Sequence, residues 1–401
     1  MTFYYIKHEL KLLFRSKKNN YFIVFLLALS LIYSFFILPN QETIETIHEQ
    51  ELKEELSDLE TLQSNRQNRG ATGYSPLAGE TLYAKDDFYI RIHNRMLNAY
   101  DQNNFVRFSL LRLQGLQGNK MDFLSRHRHL FEDSPIPGKD TQHLYHQTLL
   151  RYQGFVEEDL NVTYPMIEEK TAVQAGKNIL LSPVTYLIIF MAIYFSSDIL
   201  VKNRENKTLL QGLPMNWYKT INAKSFAAFL YSIVTFISIF SISLFAITLQ
   251  SGFGSLQLHV PIMIGQSNFL LDDYDTISML QFYLMALSFI PILMLLFIRL
   301  NLWFSLLFKN YWVVFATSTL LLFVQFTYFS RSKRELFGFD LSYFPQSYFE
   351  FGKVITGDMN FLINVESITY VKGIIVLTIT LLIIELMLWL TSKAINKRRF
   401  Y

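Results

Sequence analysis

Apolar residues collect in six runs, roughly 21–38, 179–198, 225–249, 279–298, 311–330 and 371–392. Each is close to the ~20 residues a helix needs to cross a hydrocarbon core, so each predicts a transmembrane helix. Residues 39–177 hold no such run. Within them 40–68 are polar and acidic, with Ile44, Ile47, Leu52, Leu56, Leu59 and Leu62 as a loose stripe at helical spacing. A Gly/Pro-containing break follows at 70–79. Helices are expected at 80–114, 119–131 and 141–160, with a turn at Asp133-Ser134-Pro135-Ile136-Pro137-Gly138. Such a segment can bury a small core, so 39–177 reads as a domain rather than a loop.

Two shorter patterns stand apart. Phe3, Ile6, Leu10, Leu13 and Phe14 recur at helical spacing, with Lys7, Lys11, Arg15 and Lys18 at other positions. This predicts a basic amphipathic helix in the cytoplasmic interface. Residues 331–369 are rich in Phe and Tyr and punctuated by Pro345, Gly352 and Gly357. Two short helices dipping back into the membrane would suit them, because irregular backbone at depth needs protein around it.

Charge orients the runs. Residues 1–20, 201–224 and the tail from Lys393 carry fourteen Lys and Arg against Glu9 and Glu205, a net +12. Residues 39–177 sum to −6, 251–277 to −3 and 331–369 to −1. Positive loops stay inside, so both termini and 201–224 are cytoplasmic and 39–177 is extracellular. Trp217, Trp303, Trp312 and Trp389 all fall near the inferred cytoplasmic boundaries. The first run is too long for a signal-peptide core and ends without a small-x-small cleavage site. The expected fold is an all-α polytopic membrane protein with six transmembrane helices, both ends inside, and a mainly helical extracellular domain. Its parts are an interfacial helix at 1–20, a first transmembrane helix at 21–38, the domain at 39–177, and five further helices in 178–401.

Composition sharpens this. Of 401 residues, 51% are apolar and 17% charged, where soluble chains carry about a quarter charged. A disordered chain is excluded and a cytosolic enzyme disfavoured. With no Cys, disulfides, thiolate catalysis and Cys-ligated metal sites are excluded.

Chemistry-bearing motifs are scarce. Gly138-Lys139, Gly176-Lys177 and Gly352-Lys353 lack the phosphate-cradling spacing and the following Ser or Thr. ATP hydrolysis by that loop is excluded. His143 and His146 share a helical face, which suits metal ligation in principle, but no zinc signature accompanies them and hydrogen-bonded histidines are the expectation. No catalytic Ser or His motif is present, and no catalytic residue or cofactor is expected. Charges inside a membrane are costly and usually functional. Glu385 lies about 12 Å along its helix from Lys393, and Arg299 about 15 Å from Lys309. If the fourth span runs on to Phe308, Arg299 and Glu385 sit at similar depth and are expected to pair. If it ends at Ile298, Arg299 reaches the headgroups instead.

The loop 201–224 is the most informative stretch. Arg204-Glu205 opens it, Thr208, Leu209 and Leu210 form a short apolar turn, Leu213-Pro214 stops it, and Lys224 precedes the third run. In these residues the chain resembles the permeases of type-2 ABC exporters, although Lys207 stands where those have Gly before Thr. Ser305-Leu306-Leu307-Phe308-Lys309-Asn310, and Phe344-Pro345 with Tyr348, Lys353 and Gly357, resemble further elements of that family. The likeness covers 1–38 and 178–401, while 39–177 has no counterpart in compact members.

The resemblance implies a non-catalytic permease in a bacterial cell membrane, powered by a separate ABC ATPase subunit in two copies. It implies a second permease subunit, as homodimer or heterodimer. Arg204, Glu205, Thr208, Leu209, Leu210, Leu213 and Pro214, with Lys7 and Lys11, would dock the ATPase. Pro345, Tyr348 and Gly357 would form the outer re-entrant element. Membrane lipids and an amphiphilic substrate (a hydrophobic peptide, lipid-linked molecule or drug) are the expected contacts, and nucleic acid is not. The rival reading is a membrane sensor or resistance protein whose extracellular domain binds a peptide antibiotic without transporting it. A membrane-embedded enzyme stands third, with only Glu385 and Arg299 as candidates.

Overall fold

The structure, a computed structural model, describes residues 2–73, 82–158, 160–202, 216–266, 269–308, 310–331, 333–395 and 400. It is mostly helical. Helix α1 (Thr2–Arg15) leads through Ser16 into α2 (Lys17–Ile32). A π-helical turn, Tyr33–Ile37, and Leu38–Asn40 prolong α2 into one 24-residue apolar helix.

The polar segment between the first two apolar runs follows as α3 (Glu49–Asn68), α4 (Leu82–Asp101), α5 (Phe105–Gly118), α6 (Lys120–His127) and α7 (Pro137–Glu157). The single helix expected at 80–114 is two. Asn103 takes a left-handed φ of 53°, and Asn104 caps α5 by accepting from the Arg107 N–H at 3.0 Å. Short polar side chains of this kind tolerate that conformation and compete with the helix backbone. Ile92, Met96, Phe108, Leu111, Leu116, Phe123, Tyr145 and Tyr152 are buried where α4 to α7 meet.

The second apolar run is bent. Helix α8 (Ala172–Leu181) and α9 (Val184–Ser196) meet at 73° across Ser182-Pro183. Pro183 disfavours helical backbone at the residue before it, and Ser182 is extended at ψ 167°. Helix α10 (Trp217–Ser251) starts eight residues ahead of the apolar run at 225. Its first two turns are amphipathic, which a hydropathy window passes over. Strands β1 (His259–Met263) and β2 (Tyr274–Ser278) form an antiparallel hairpin with His259 opposite Ser278. Helix α11 (Met279–Leu307) carries the fourth run past Ile298. Helix α12 (Tyr311–Phe323) is only 13 residues, and the turn Gln325–Tyr328 completes the fifth run.

The aromatic stretch contains a small hairpin, Glu335–Leu336 with Phe339–Asp340. Its turn residues Phe337 and Gly338 both have positive φ, as such tight hairpins require. Two short helices follow, α13 (Phe351–Thr356) and α14 (Asp358–Ile363), before α15 (Tyr370–Ala394).

Among the described residues four helices are long and apolar enough to span a membrane: Lys17–Asn40, α10, α11 and α15. The bent pair makes five if it counts as one span. Helix α11 is central: Phe282, Phe289, Ile290, Met294, Phe297, Ile298 and Leu302 are all buried. A helix apolar all round is what the middle of a bundle needs. Asn301 is the polar exception. Its Nδ2 donates to the Ile193 carbonyl at 2.9 Å and to Ser196 Oγ at 2.6 Å, and its Oδ1 accepts from Ser318. It ties α9, α11 and α12 together with every partner inside the protein.

Both chain ends meet at one end of the bundle. Helix α1 packs along the start of α10, and Phe400 packs on Trp217 at 5.1 Å between ring centroids. The helices α3 to α7 occupy the other end. There Arg331 Nη2 donates to Asp140 Oδ1 at 2.5 Å, and His143 lies 3.1 Å from Asp358.

Candidate functional site

The corner holding both chain ends is built from the amphipathic character of α1. Ile6, Leu10 and Leu13 turn toward α10 and join the core. Glu9 lies on that same face, and its Oε1 sits 2.9 Å from Lys224 Nζ. Lys224 is 1% exposed. It was expected as a cytoplasmic positive charge opening the third span, and instead lies inside the bundle, two turns into α10. Its Nζ also donates to the Ile199 carbonyl at 3.4 Å. One position along, Lys18 pairs with Asp198 at 3.3 Å and donates to the Tyr194 carbonyl at 3.2 Å. Asn19 Nδ2 closes the bend between α1 and α2 by donating to the Leu13 carbonyl at 3.2 Å. Ion pairs thus fasten α1 to α10 through Glu9–Lys224, and the start of α2 to Asp198, just past the end of α9, through Lys18.

Among the described residues nothing covers the opposite face of α1. Lys7, Lys11 and Arg15, one turn apart, are exposed and form a basic strip pointing away from the bundle. Arg204, Glu205, Thr208, Leu209, Leu210, Leu213 and Pro214 lie outside the described residues.

A second cluster lies deeper. Because α11 continues to Leu307, Arg299 sits inside the helix. Its Nε is 3.3 Å from Glu385 Oε2 of α15. The structure therefore brings Arg299 and Glu385 together as an ion pair. Two further members come from α10, one turn apart: Asn222 Oδ1 accepts from Arg299 Nη1 at 2.7 Å, and Tyr218 donates its hydroxyl proton to Glu385. Sequence reasoning missed Tyr218 and Asn222. The only signal was their shared face in the amphipathic start of α10.

Pro345, Tyr348 and Gly357 are packing residues where the structure places them. Pro345 starts a 3₁₀ turn through Tyr348, whose buried hydroxyl donates to the Ser342 carbonyl at 2.7 Å. Gly357 has φ 76°, and a Cβ there would lie 2.2 Å from the Met263 carbonyl oxygen. No other residue fits.

Within residues 39–177 several charged groups are paired. Arg112 donates to Glu45 at 3.0 and 3.1 Å, and Tyr152 donates to Glu45 at 2.7 Å. Burial alone would raise the Glu45 carboxyl, but Arg112 outweighs it and holds it below its usual range. Hydrogen bonding from His93, with Arg126 beside it, holds Glu55 down to about 2. His143 makes a hydrogen bond with the Tyr274 hydroxyl at 2.8 Å and stacks on Phe361. Burial, with Lys120 nearby, pushes His146 down to about 4. Among the described residues no group of three His, Asp or Glu stands ready to hold a metal.

Four to five helices long and apolar enough to cross a membrane define a polytopic membrane protein rather than a chain with a single anchor. The chain belongs to the ABC-2 transporter family: the family model described as ABC-2 family transporter protein matches residues 5–331. It is thus a permease subunit of an ABC transporter, a class that is generally non-catalytic and works with an ABC ATPase subunit. The matched stretch takes in 39–177, which the motif resemblance left out, and ends before the Pro345–Gly357 stretch, which that resemblance included. The family gives no support to the sensor reading. No curated protein and no solved structure matches the chain.

Proposed function

We propose that the chain exports an amphiphilic substrate across a bacterial cell membrane, driven by two copies of a separate ATPase, and that a second permease subunit completes the path. Six spans with both ends inside fit this reading, with the short Tyr311–Phe323 helix and its following turn as the fifth. Residues 39–177 then form an extracellular domain, and α13 and α14 a re-entrant element.

The carrying observation is the corner where α1, fastened to α10 through Glu9–Lys224, presents Lys7 and Lys11 on its exposed face. A lever needs a rigid base, and the buried Glu9–Lys224 pair supplies one. Motion imposed on the loop reaches α10 directly. From there Tyr218 and Asn222 pass it to Arg299 and Glu385, hence to α11 and α15. The coupling residues in this reading are Arg204, Glu205, Thr208, Leu209, Leu210, Leu213 and Pro214, with the α1 lysines as a flanking contact.

Co-purification with the ATPase tests it. Replacing Arg204–Leu210 with Gly and Ser, or introducing Lys7→Glu with Lys11→Glu, should reduce ATPase recovery at least tenfold. Unchanged recovery and unchanged ATP turnover in both variants would reject the docking assignment.

A further inference from the structure

A cavity of about 480 Å³ lies between the first span, the bent second span and the third. It falls within the 300–1,000 Å³ typical of small-molecule sites, which are largely apolar with a few placed polar groups. Along the first span it extends from Leu26 to Leu38, about 18 Å of helix. Its deep end is apolar, closed by Met191 and Phe236. Its other end, toward α3 to α7, is rimmed by Glu168, Lys170 and Asn178.

The cavity exists because two helices are irregular at the same level. The bend at Ser182-Pro183 opens α8 away from α9, and the π-helical turn Tyr33–Ile37 sits opposite. Such turns recur at functional sites, and discontinuous helices form substrate sites in other transporters. Ser34 and Ser243 hydrogen-bond at 3.2 Å beside the cavity and hold the first and third helices together. Ser30 lines the cavity, and its buried Oγ has no hydrogen-bond partner among the described residues.

The rim carries both signs of charge. Lys170 Nζ lies 3.1 Å from Glu168 Oε1 and 3.3 Å from the Pro39 carbonyl. Glu169 is held at φ 56°, with its carboxylate 2.9 Å from both Arg151 and Lys177. Left-handed backbone at a non-glycine residue persists where surrounding contacts enforce it, and it clusters at ligand sites.

We propose that this cavity binds a single-chain zwitterionic amphiphile, its chain running toward Met191 and its headgroup across the Glu168–Lys170 rim. The proposal deepens the amphiphile-export reading and rests on it for function, but the binding test needs no ATPase and no ATP. Failure of coupling would leave the binding result standing, and failure of binding would leave coupling untouched.

The test uses the full chain in nanodiscs with a lysophosphatidylcholine bearing a diazirine at the chain end. Illumination, digestion and mass spectrometry should show saturable labelling, one probe per chain, on Leu26–Tyr33, Leu187–Met191 or Phe236–Ser243. Unlabelled lysophosphatidylcholine should compete at least tenfold better than a fatty acid of the same length. Leu187→Trp, which fills the cavity, should cut labelling at least tenfold. Labelling that rises without saturation, or that falls equally on the exposed Leu382 and Leu386 of α15, would overturn the site. Equal competition by the fatty acid would overturn the headgroup assignment. The labelled positions on the unsubstituted chain decide the matter even where Leu187→Trp fails to fold.

Discussion

Lys224→Met offers the sharpest test of the corner that anchors α1. The ammonium is 1% exposed. Its ion partner is Glu9 at 2.9 Å, and it also meets the Ile199 carbonyl at 3.4 Å and the Tyr5 ring at 5.8 Å. Removing it leaves the Glu9 carboxylate buried and unpaired, and breaking a buried pair in this way costs about 3–5 kcal/mol. Glu9→Leu should cost a similar amount, because it strands Lys224 instead. The double variant should come within about 1 kcal/mol of the original chain, since replacing a whole buried pair with apolar side chains is often neutral. Reversible unfolding in SDS, followed by tryptophan fluorescence, measures all three. Trp217 at the head of α10 lies close to the change. The reasoning is refuted if Lys224→Met costs less than about 1 kcal/mol, or if the double variant shows the sum of the two single losses.

Three further predictions follow from other sites. Arg299→Leu, Glu385→Leu and the double variant should lose similar stability in the same unfolding assay, and purely additive losses would exclude a functional pair. His146 stays neutral in the fold down to about pH 4, while an unfolded histidine takes a proton near pH 6.5. Stability should therefore fall as pH drops from 6.5 to 4, by up to about 3 kcal/mol. Calorimetry of His146→Phe across that range should show a flatter dependence, and an unchanged slope would contradict the assignment. Glu55, held at about 2, adds a second loss below pH 4.5 that His146→Phe should leave in place. Gly357→Ala meets both a left-handed backbone and the Met263 carbonyl, whereas Gly338→Ala has φ 81° and open space. Gly338→Ala should cost about 1–2 kcal/mol and Gly357→Ala clearly more, so equal melting temperatures would refute the close approach.

The helical membrane frame was legible because long apolar runs have few alternatives. Boundaries were harder where helices begin in mixed sequence. Trp217 to Lys224 reads as loop by hydropathy, yet it is helix, because one face packs on α1 and buries Lys224. Arg299 and Glu385 were legible as charges in apolar runs, and depth arithmetic placed them level. Tyr218 and Asn222 were not, since only the packing of α10 against α11 and α15 brings them there. The β1–β2 hairpin escaped notice because Pro261 interrupts one strand and acidic residues precede the other. His143 was legible as half of an i, i+3 pair, but its actual partners, Tyr274 and Asp358, lie 131 and 215 residues away. No local pattern encodes such pairings. The bend at Ser182-Pro183 was written in the sequence as a proline at the start of an apolar run, and the cavity it opens required the neighbouring helices to appear.

The central claim is that this permease moves an amphiphile at the expense of ATP hydrolysed by another chain. Proteoliposomes holding the permease and its ATPase, with a fluorescent lysophospholipid as reporter, measure that movement directly. The account predicts ATP-dependent transfer between leaflets or into the lumen, absent when either protein is omitted and abolished when Arg204–Leu210 is replaced. Transfer that proceeds without ATP, or hydrolysis that the permease neither binds nor alters, would contradict it.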